Sequence, residues 1–465
     1  MTDRPRNSTF RRLAWAGVLA VLALGAASPA AAQLLGGHGP LGLPVPDLPD
    51  LSRDLPDAAK VVPQVGRTVD RTAGAAAGAV DTPLSELRRL RAQDLIRRYP
   101  DRVEADDRGE PVVRGEILAV AATPAALAQA RGAGYRVRHE TGLEGVGLDV
   151  SVLTAPRGLS AVEAVRRLRA LDPAGQYDFN HLYLESGAVG AGAGQERAAG
   201  GETGAAARIG LVDGGTAKHP SLARARIVQR GFAPGGLKPS AHGTAVASLL
   251  AGRQGRFRGA APGASLYVAD VYGESPVGGS AAILAQAFAW MVANAVPVVN
   301  VSLVGPPNLV LAAAARALTA RGVLLVAAVG NDGPAAPPLY PAAYPGVIAV
   351  TAVDGRRRLL PEASRGAHVD FAAPGSDMAA AAAQGGYAPV RGTSFAAPLV
   401  AGRLALLMNS PDPAAAARAI AALARDAEDL GAPGPDPIYG RGLVAFDLRM
   451  EPALVKAGGA ALRGP

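Results

Sequence analysis

The sequence predicts an α/β protein in which a doubly wound parallel sheet is preceded by a small ferredoxin-like α+β domain. Three observations carry this. From residue 208 onward, apolar runs at 208–212, 265–271, 298–302, 323–328 and 347–351 alternate with helical patterns at 242–250, 281–294 and 309–320. Most of these runs are continuously apolar, as expected of strands covered on both faces. Upstream, 116–186 reads in the order β-α-β-β-α-β, the ferredoxin-like arrangement.

The elements follow in order along the 465 residues. Arg4, Arg6, Arg11 and Arg12 precede an apolar stretch at 13–26, and Ala30, Ala31 and Ala32 follow it. This is the pattern of a secretory signal over 1–32, with cleavage expected before Gln33. Residues 33–110 read as a Gly, Pro and Ala-rich linker that ends in a basic helix at 84–98, with Thr82 as cap, Pro83 at its first position and Leu84, Leu87, Leu90 and Leu95 on one face. A small domain is expected over 111–186. It opens with a strand at 117–122, and Thr123-Pro124 then starts a helix. Alternation at 135–139 and 148–154 marks two strands, the second with Leu148, Val150, Val152 and Thr154 on one face. Ser160 with Glu163 three residues on caps a helix at 160–171, and 177–184 is a last strand. A Gly/Ala-rich tether is expected at 187–207, the α/β domain at 208–450 and a tail at 451–465.

Composition narrows the chemistry. Hydrophobic residues are 49% and charged residues 18%, enough for a sizeable core and too apolar for wholesale disorder. Aromatics are only 4%, so that core is built of Ala, Val and Leu. There is no cysteine, which excludes a disulfide scaffold, a thiol nucleophile, an iron–sulfur cluster and Cys-ligated zinc. The net charge of +8 is carried by scattered Arg without interleaved aromatics, so nucleic-acid binding is not indicated. After the signal no stretch is a convincing membrane span; the apolar segment 281–304 is interrupted by Gln286, Asn294, Pro297 and Asn300. The mature chain is expected to be exported, periplasmic or extracellular, without stable membrane insertion.

Three segments place reactive side chains where α/β sheets keep their sites, beyond strand ends and at helix starts. Asp213 ends the apolar run of Ile209-Gly210-Leu211-Val212-Asp213-Gly214-Gly215. His242 opens His-Gly-Thr-Ala-Val-Ala, and Ser394 lies in Gly-Thr-Ser-Phe-Ala-Ala-Pro. A serine hydroxyl is a poor nucleophile until a base takes its proton. A histidine can be that base, and a buried carboxylate holds its tautomer and stabilises the imidazolium. A serine at a helix start also brings free backbone N–H groups to a developing oxyanion. The Gly-x-Ser-x-Gly elbow of α/β-hydrolases is absent.

These motifs, in the order Asp, His, Ser, resemble those of the subtilisin-like serine proteases, over 208–447 and including Tyr439-Gly440-Arg441-Gly442. The resemblance implies a secreted serine endopeptidase acting on protein or peptide substrates on a sheet of the subtilisin type. Asp213 is then the orienting carboxylate, His242 the general base and acid, and Ser394 the nucleophile. Asn331, in Val329-Gly330-Asn331-Asp332-Gly333, takes the role of oxyanion donor, and Ser302, Leu303 and Val304 that of the strand pairing with substrate backbone. The domain at 111–186 takes the role of a folding and inhibiting propeptide, a partner cut off in or near 187–207 by the enzyme itself. One departure is Gly214, where a Ser or Thr commonly follows the Asp and adds a local hydrogen bond. His219 and His368 stand outside the expected site. No cofactor is expected. The resemblance leaves a structural calcium ion open, but there is no dense acidic loop; Asp426, Glu428 and Asp429 are the nearest to one.

Overall fold

Seven parallel strands make the central sheet of the computed structural model, which describes residues 81–139, 143–190 and 207–457. The expected signal at 1–32, most of the linker after it and most of the tether fall outside the described residues. In spatial order the strands are Val369–Pro374, Ile348–Val353, Leu324–Ala328, Val298–Val301, Arg208–Asp213, Ser265–Asp270 and Ile227–Gly231. Every pairing between neighbours is parallel. The order reverses between Arg208–Asp213 and Val298–Val301, the kind of switch point at which such sheets open a crevice.

Burial explains why the strands read as unbroken apolar runs. Ile209, Leu211, Val298, Val326 and Val350 face one core, with the helices Ala241–Ala251 and Thr393–Ala405. Val212, Val299, Val301, Leu325 and Ala349 face the other, with the helices Ala281–Ala293 and Leu309–Ala320. Side chains alternate between faces, and both faces are covered, so both must be apolar.

The small domain repeats this logic on a thinner scale. Its sheet carries Gln176–His181, Pro111–Val120, Val150–Thr154 and Arg136–His139 in that order, all antiparallel, with Val103–Ala105 also paired to Pro111–Val120. Ile117, Ala119, Leu153, Tyr177 and Phe179 face the domain's own helices, Pro124–Gly132 and Ala161–Leu171. Leu118, Val150 and Val152 face the other way and join the core around Leu284, Phe288 and Leu311 of the large domain. The sheet of the small domain is therefore sandwiched between two pairs of helices, only one pair its own. The helix Asp81–Arg98 and the strand Val103–Ala105 belong to this assembly, so it begins well before residue 111. Leu90 departs from the expected leucine face: it is half exposed, and Ala92, Leu95 and Ile96 make the inward contacts.

The strand Gln176–His181 also supplies caps to its neighbours. Asp178 Oδ2 accepts the N–H of Leu309 at 2.7 Å, and Asn180 Oδ1 accepts that of Ala282 at 3.1 Å. Both N–H groups are among those a helix start leaves without an internal partner. The helix Leu309–Ala320 is capped further by Asn308, whose Oδ1 accepts from Val310 and Leu311 while its Nδ2 donates to the Phe179 carbonyl. Two helices of the large domain thus draw part of their capping from the small one.

Candidate active site

Asp213 is the last residue of its strand, and His242 lies in the first turn of the helix Ala241–Ala251. Ser240 caps that helix by accepting from Gly243 N at 2.8 Å, which fixes where the imidazole starts. His242 Nδ1 lies 2.9 Å from each Asp213 oxygen. Asp213 Oδ1 also accepts the Gly214 N–H at 2.7 Å. Gly214, the departure from the expected motif, has a spatial reason: a Cβ there would run into the Ser240 side chain, at 2.7 Å from its Cβ. The hydroxyl that caps the helix occupies the space a residue-214 side chain would need.

Asp213 and His242 are 1% and 4% exposed, so their charges interact with little water between them. Burial by itself pushes the imidazole down. The carboxylates of Asp213 and Glu185 outweigh it, and His242 is raised to about 9. Its second nitrogen, Nε2, is buried with no hydrogen-bond partner. A buried polar nitrogen left open in this way is expensive, and such atoms concentrate where chemistry is done.

Ser394 opens the helix Thr393–Ala405 behind Gly392, whose φ of 132° is costly for any other residue. A Cβ at 392 would also press on Asn331 Nδ2 and Gly187 Cα, both at 2.9 Å. The Ser394 hydroxyl is not hydrogen-bonded to His242. It points to the carbonyl oxygens of Ser186 and Ser302, the latter at 3.1 Å. The Ser394 backbone N–H donates to that same Ser186 carbonyl at 3.1 Å.

The segment around Ser186 fills the crevice. Leu184–Glu185 pairs antiparallel with Leu303–Val304, and Ser186 N donates to Ser302 O at 3.3 Å. Beyond Ser186, Ala188–Val189 pairs antiparallel with Tyr387–Arg391, and Gly190 N donates to Pro389 O at 2.8 Å. The first residues of the Gly/Ala tether are thus strand, not loose linker. Ser302, Leu303 and Val304, expected to pair with a substrate backbone, here meet the backbone of the chain's own residues 184–186.

Asn331 reaches the same place with both ends of its amide engaged. Oδ1 accepts from Thr393 N at 3.0 Å, and Nδ2 donates to Ser186 Oγ at 3.0 Å. The next residue, Asp332, is held at 2.6 Å by Arg88 of the helix Asp81–Arg98, which also grips Glu110.

One participant, Glu185, and one role, that of the Ser302 side chain, carry no signal in the sequence. Glu185, Asp213 and His242 each bring one polar atom into a group within 4.8 Å of one another. Both Asp213 oxygens face the imidazole, so this is a charge cluster closed by hydrogen bonds. Ser302 holds up the active serine through its side chain. Pro398 has no N–H, so the Ser394 carbonyl has no partner one turn on. Ser302 Oγ donates to that carbonyl at 2.9 Å and accepts from Asn300 Nδ2 at 2.9 Å.

The remaining candidates lie elsewhere. His219 bonds to Ser221 and to the Gly386 carbonyl, and burial lowers it. Burial likewise lowers His368. Among the acidic residues near 428, Glu428 pairs with Arg357 at 3.2 Å and Asp429 accepts from Gly434 N, while Asp426 ends the helix Pro413–Asp426.

Residues 207–442 match the subtilase family. The chain is 35% identical to subtilisin Savinase of Lederbergia lenta over 254 residues, covering 52% of this chain and 90% of that protein. It is 32% identical over 250 residues to the minor extracellular protease Epr of Bacillus subtilis, covering 53% of this chain but only 39% of Epr. Fervidolysin from Fervidobacterium pennivorans, a keratinolytic enzyme related to subtilisin, superposes with a TM-score of 0.60 at 22% identity, over 78% of this chain and 62% of that one. That last likeness concerns the fold.

Ser302→Ala tests the support of the active serine. It strands the Ser394 carbonyl and Asn300 Nδ2 in a dry interior, which costs about 1–3 kcal/mol. Thermal unfolding of the Ser394→Ala chain with and without Ser302→Ala should show that loss. Unchanged stability would mean the hydroxyl is dispensable.

Proposed function

The chain belongs to the subtilase family, a family of serine proteases, and from this we propose that it is an exported endopeptidase made as a precursor that cuts itself between Ser186 and Gly187. The observation that carries the reading is the placement of the Ser186 carbonyl, held by the Ser394 N–H with the Ser394 hydroxyl against it.

The roles follow from position. Ser394 Oγ attacks the Ser186 carbonyl carbon as His242 Nε2 takes its proton. Asp213 receives the Nδ1–H and stabilises the imidazolium. The carbonyl oxygen gains the negative charge with the Ser394 N–H on it, and the Asn331 amide, which donates to Ser186 Oγ before the attack, is the second donor. The imidazolium then gives its proton to the Gly187 nitrogen, the C–N bond breaks, and an acyl-enzyme on Ser394 remains. Water repeats the sequence to release the Ser186 carboxylate. No cofactor enters these steps. In a separate substrate, Leu303 and Val304 would pair with the residues before the cut, as they pair with Leu184 and Glu185 here, so that main-chain hydrogen bonds supply affinity.

Export rests on the signal-like residues 1–32. Among the described residues, no helix is long and apolar enough to cross a membrane.

The experiment is a comparison of the full chain with its Ser394→Ala variant. The parent should react with a fluorophosphonate probe and yield a product whose N-terminus is Gly187. The variant should accumulate as the longer precursor and take no label. A parent that stays intact and unlabelled while folded would contradict the proposal.

Asn331 permits a second test. Asn331→Ala removes the oxyanion donor and also the acceptor for Thr393 N. Asn331→Asp keeps an acceptor and loses only the donor. Both should lower kcat on a peptide amide by about 100- to 1,000-fold with little change in KM, as for loss of such a donor in a subtilisin. An Asn331→Asp enzyme within threefold of the parent kcat would remove Asn331 from the site.

A further inference from the structure

Glu185 lies two residues before the proposed cut, next to Ser186, and its carboxylate lies against Asp213 and His242. One polar atom each from Glu185, Asp213 and His242 falls within 4.8 Å of the other two. Glu185 Oε1 also lies over Gly214, 3.9 Å from where a Cβ there would be, an ordinary contact distance. Glu185 is held there by the pairing of Leu184–Glu185 with Leu303–Val304. That pairing keeps its backbone beside the crevice while Ser186 occupies it.

The surroundings bear on what that carboxylate does. From the helix Ala241–Ala251 it meets His242, which favours its ionised form. Burial opposes that form most, and Asp213 and Asp270 at the strand ends add to it, so the carboxyl is raised above its usual value. From the helix Asp81–Arg98 the positive charge of Arg91 favours the ionised form. Tyr272 is also close, with its hydroxyl donating to the Tyr183 carbonyl. Asp270 is fixed by backbone N–H groups of Lys238, Tyr272 and Gly273, so it is a static charge. In this set His242 is the cation between two carboxylates.

An imidazole between two carboxylates is already protonated up to a higher pH, and a protonated ring cannot take a further proton. Ser394 can lose its proton only to the neutral ring. We infer that Glu185 is an electrostatic brake on the chain's own cleavage: its carboxylate, set against His242 and Asp213, favours the imidazolium and opposes proton transfer from Ser394 until the segment that carries it leaves the crevice. The inference rests on Ser186–Gly187 being the bond that is cut. Glu185 lies on the leaving side, so the brake departs with the propeptide, and the mature enzyme keeps Asp213 alone beside its base. Self-cleavage should therefore need a higher pH than the mature enzyme needs on a peptide. The direction follows from the raised His242: below about pH 9 the precursor ring is mostly charged, and the neutral ring gains population as pH rises.

Two readouts test this in the full chain. In the Ser394→Ala precursor, the His242 ring protons are titrated by NMR with and without Glu185→Gln. The midpoint should fall by about one pH unit or more in the Gln variant, since one unit is a tenfold change in the neutral fraction. In the chain with Ser394 intact, Glu185→Gln should speed appearance of the Gly187 N-terminus about tenfold at pH 7, whereas Glu185→Asp should keep the parent's pH profile. Once matured, all three give one enzyme with one pH profile on a peptide amide. A Gln variant that titrates and processes like the parent overturns the brake. A displaced midpoint with no cleavage at any pH in either chain instead overturns the self-cleavage reading on which it rests.

Discussion

The Ser186 carbonyl sits against the Ser394 N–H because the chain on each side of it is locked into a strand pairing. Leu184–Glu185 is tied to Leu303–Val304 and Ala188–Val189 to Tyr387–Arg391. Neither side can shift by a residue without moving Tyr183, whose ring is buried against Gly305 and whose hydroxyl donates to the Pro306 carbonyl at 2.7 Å. Among the described residues, this register brings the Ser186–Gly187 peptide bond to the serine. It also makes the small domain more than a cover, because the last strand of its sheet leads directly into the crevice.

The same register sets the electrostatics. Placing Ser186 at Ser394 places Glu185 beside His242, and the imidazole is raised to about 9 against the lowering effect of its burial. A raised imidazole stabilises the folded chain. That contribution is complete below the free imidazole value of 6.5 and is lost as pH climbs through about 9. The fold is therefore held best where the imidazole is charged, and rising pH gives up that contribution as the ring becomes neutral.

The parallel sheet and the Asp213, His242 and Ser394 positions were legible because each is a local pattern. An apolar run ending in Asp-Gly and two helix starts made of small residues announce themselves within seven residues. The edge strand Ile227–Gly231 did not, since Gln229 and Arg230 break its apolar run; nor did Val369–Pro374, which holds a charge and ends in proline. The support of Ser394 by Ser302 depends on a carbonyl freed by Pro398, and nothing near residue 302 in the sequence says so. Glu185 meets His242 only through the fold, across the whole tether and the first strand of the large domain. Leu90 shows the reverse error, a helical stripe that continued past the surface it covers.

The central claim is that the bond cut is the one the same molecule already holds in its crevice. The direct measurement is the rate constant for appearance of the Gly187 N-terminus as a function of precursor concentration. Cleavage within one molecule is first order, and its rate constant should be unchanged over a hundredfold dilution. A rate constant that falls in proportion to concentration would show that one molecule cuts another, and would contradict the account.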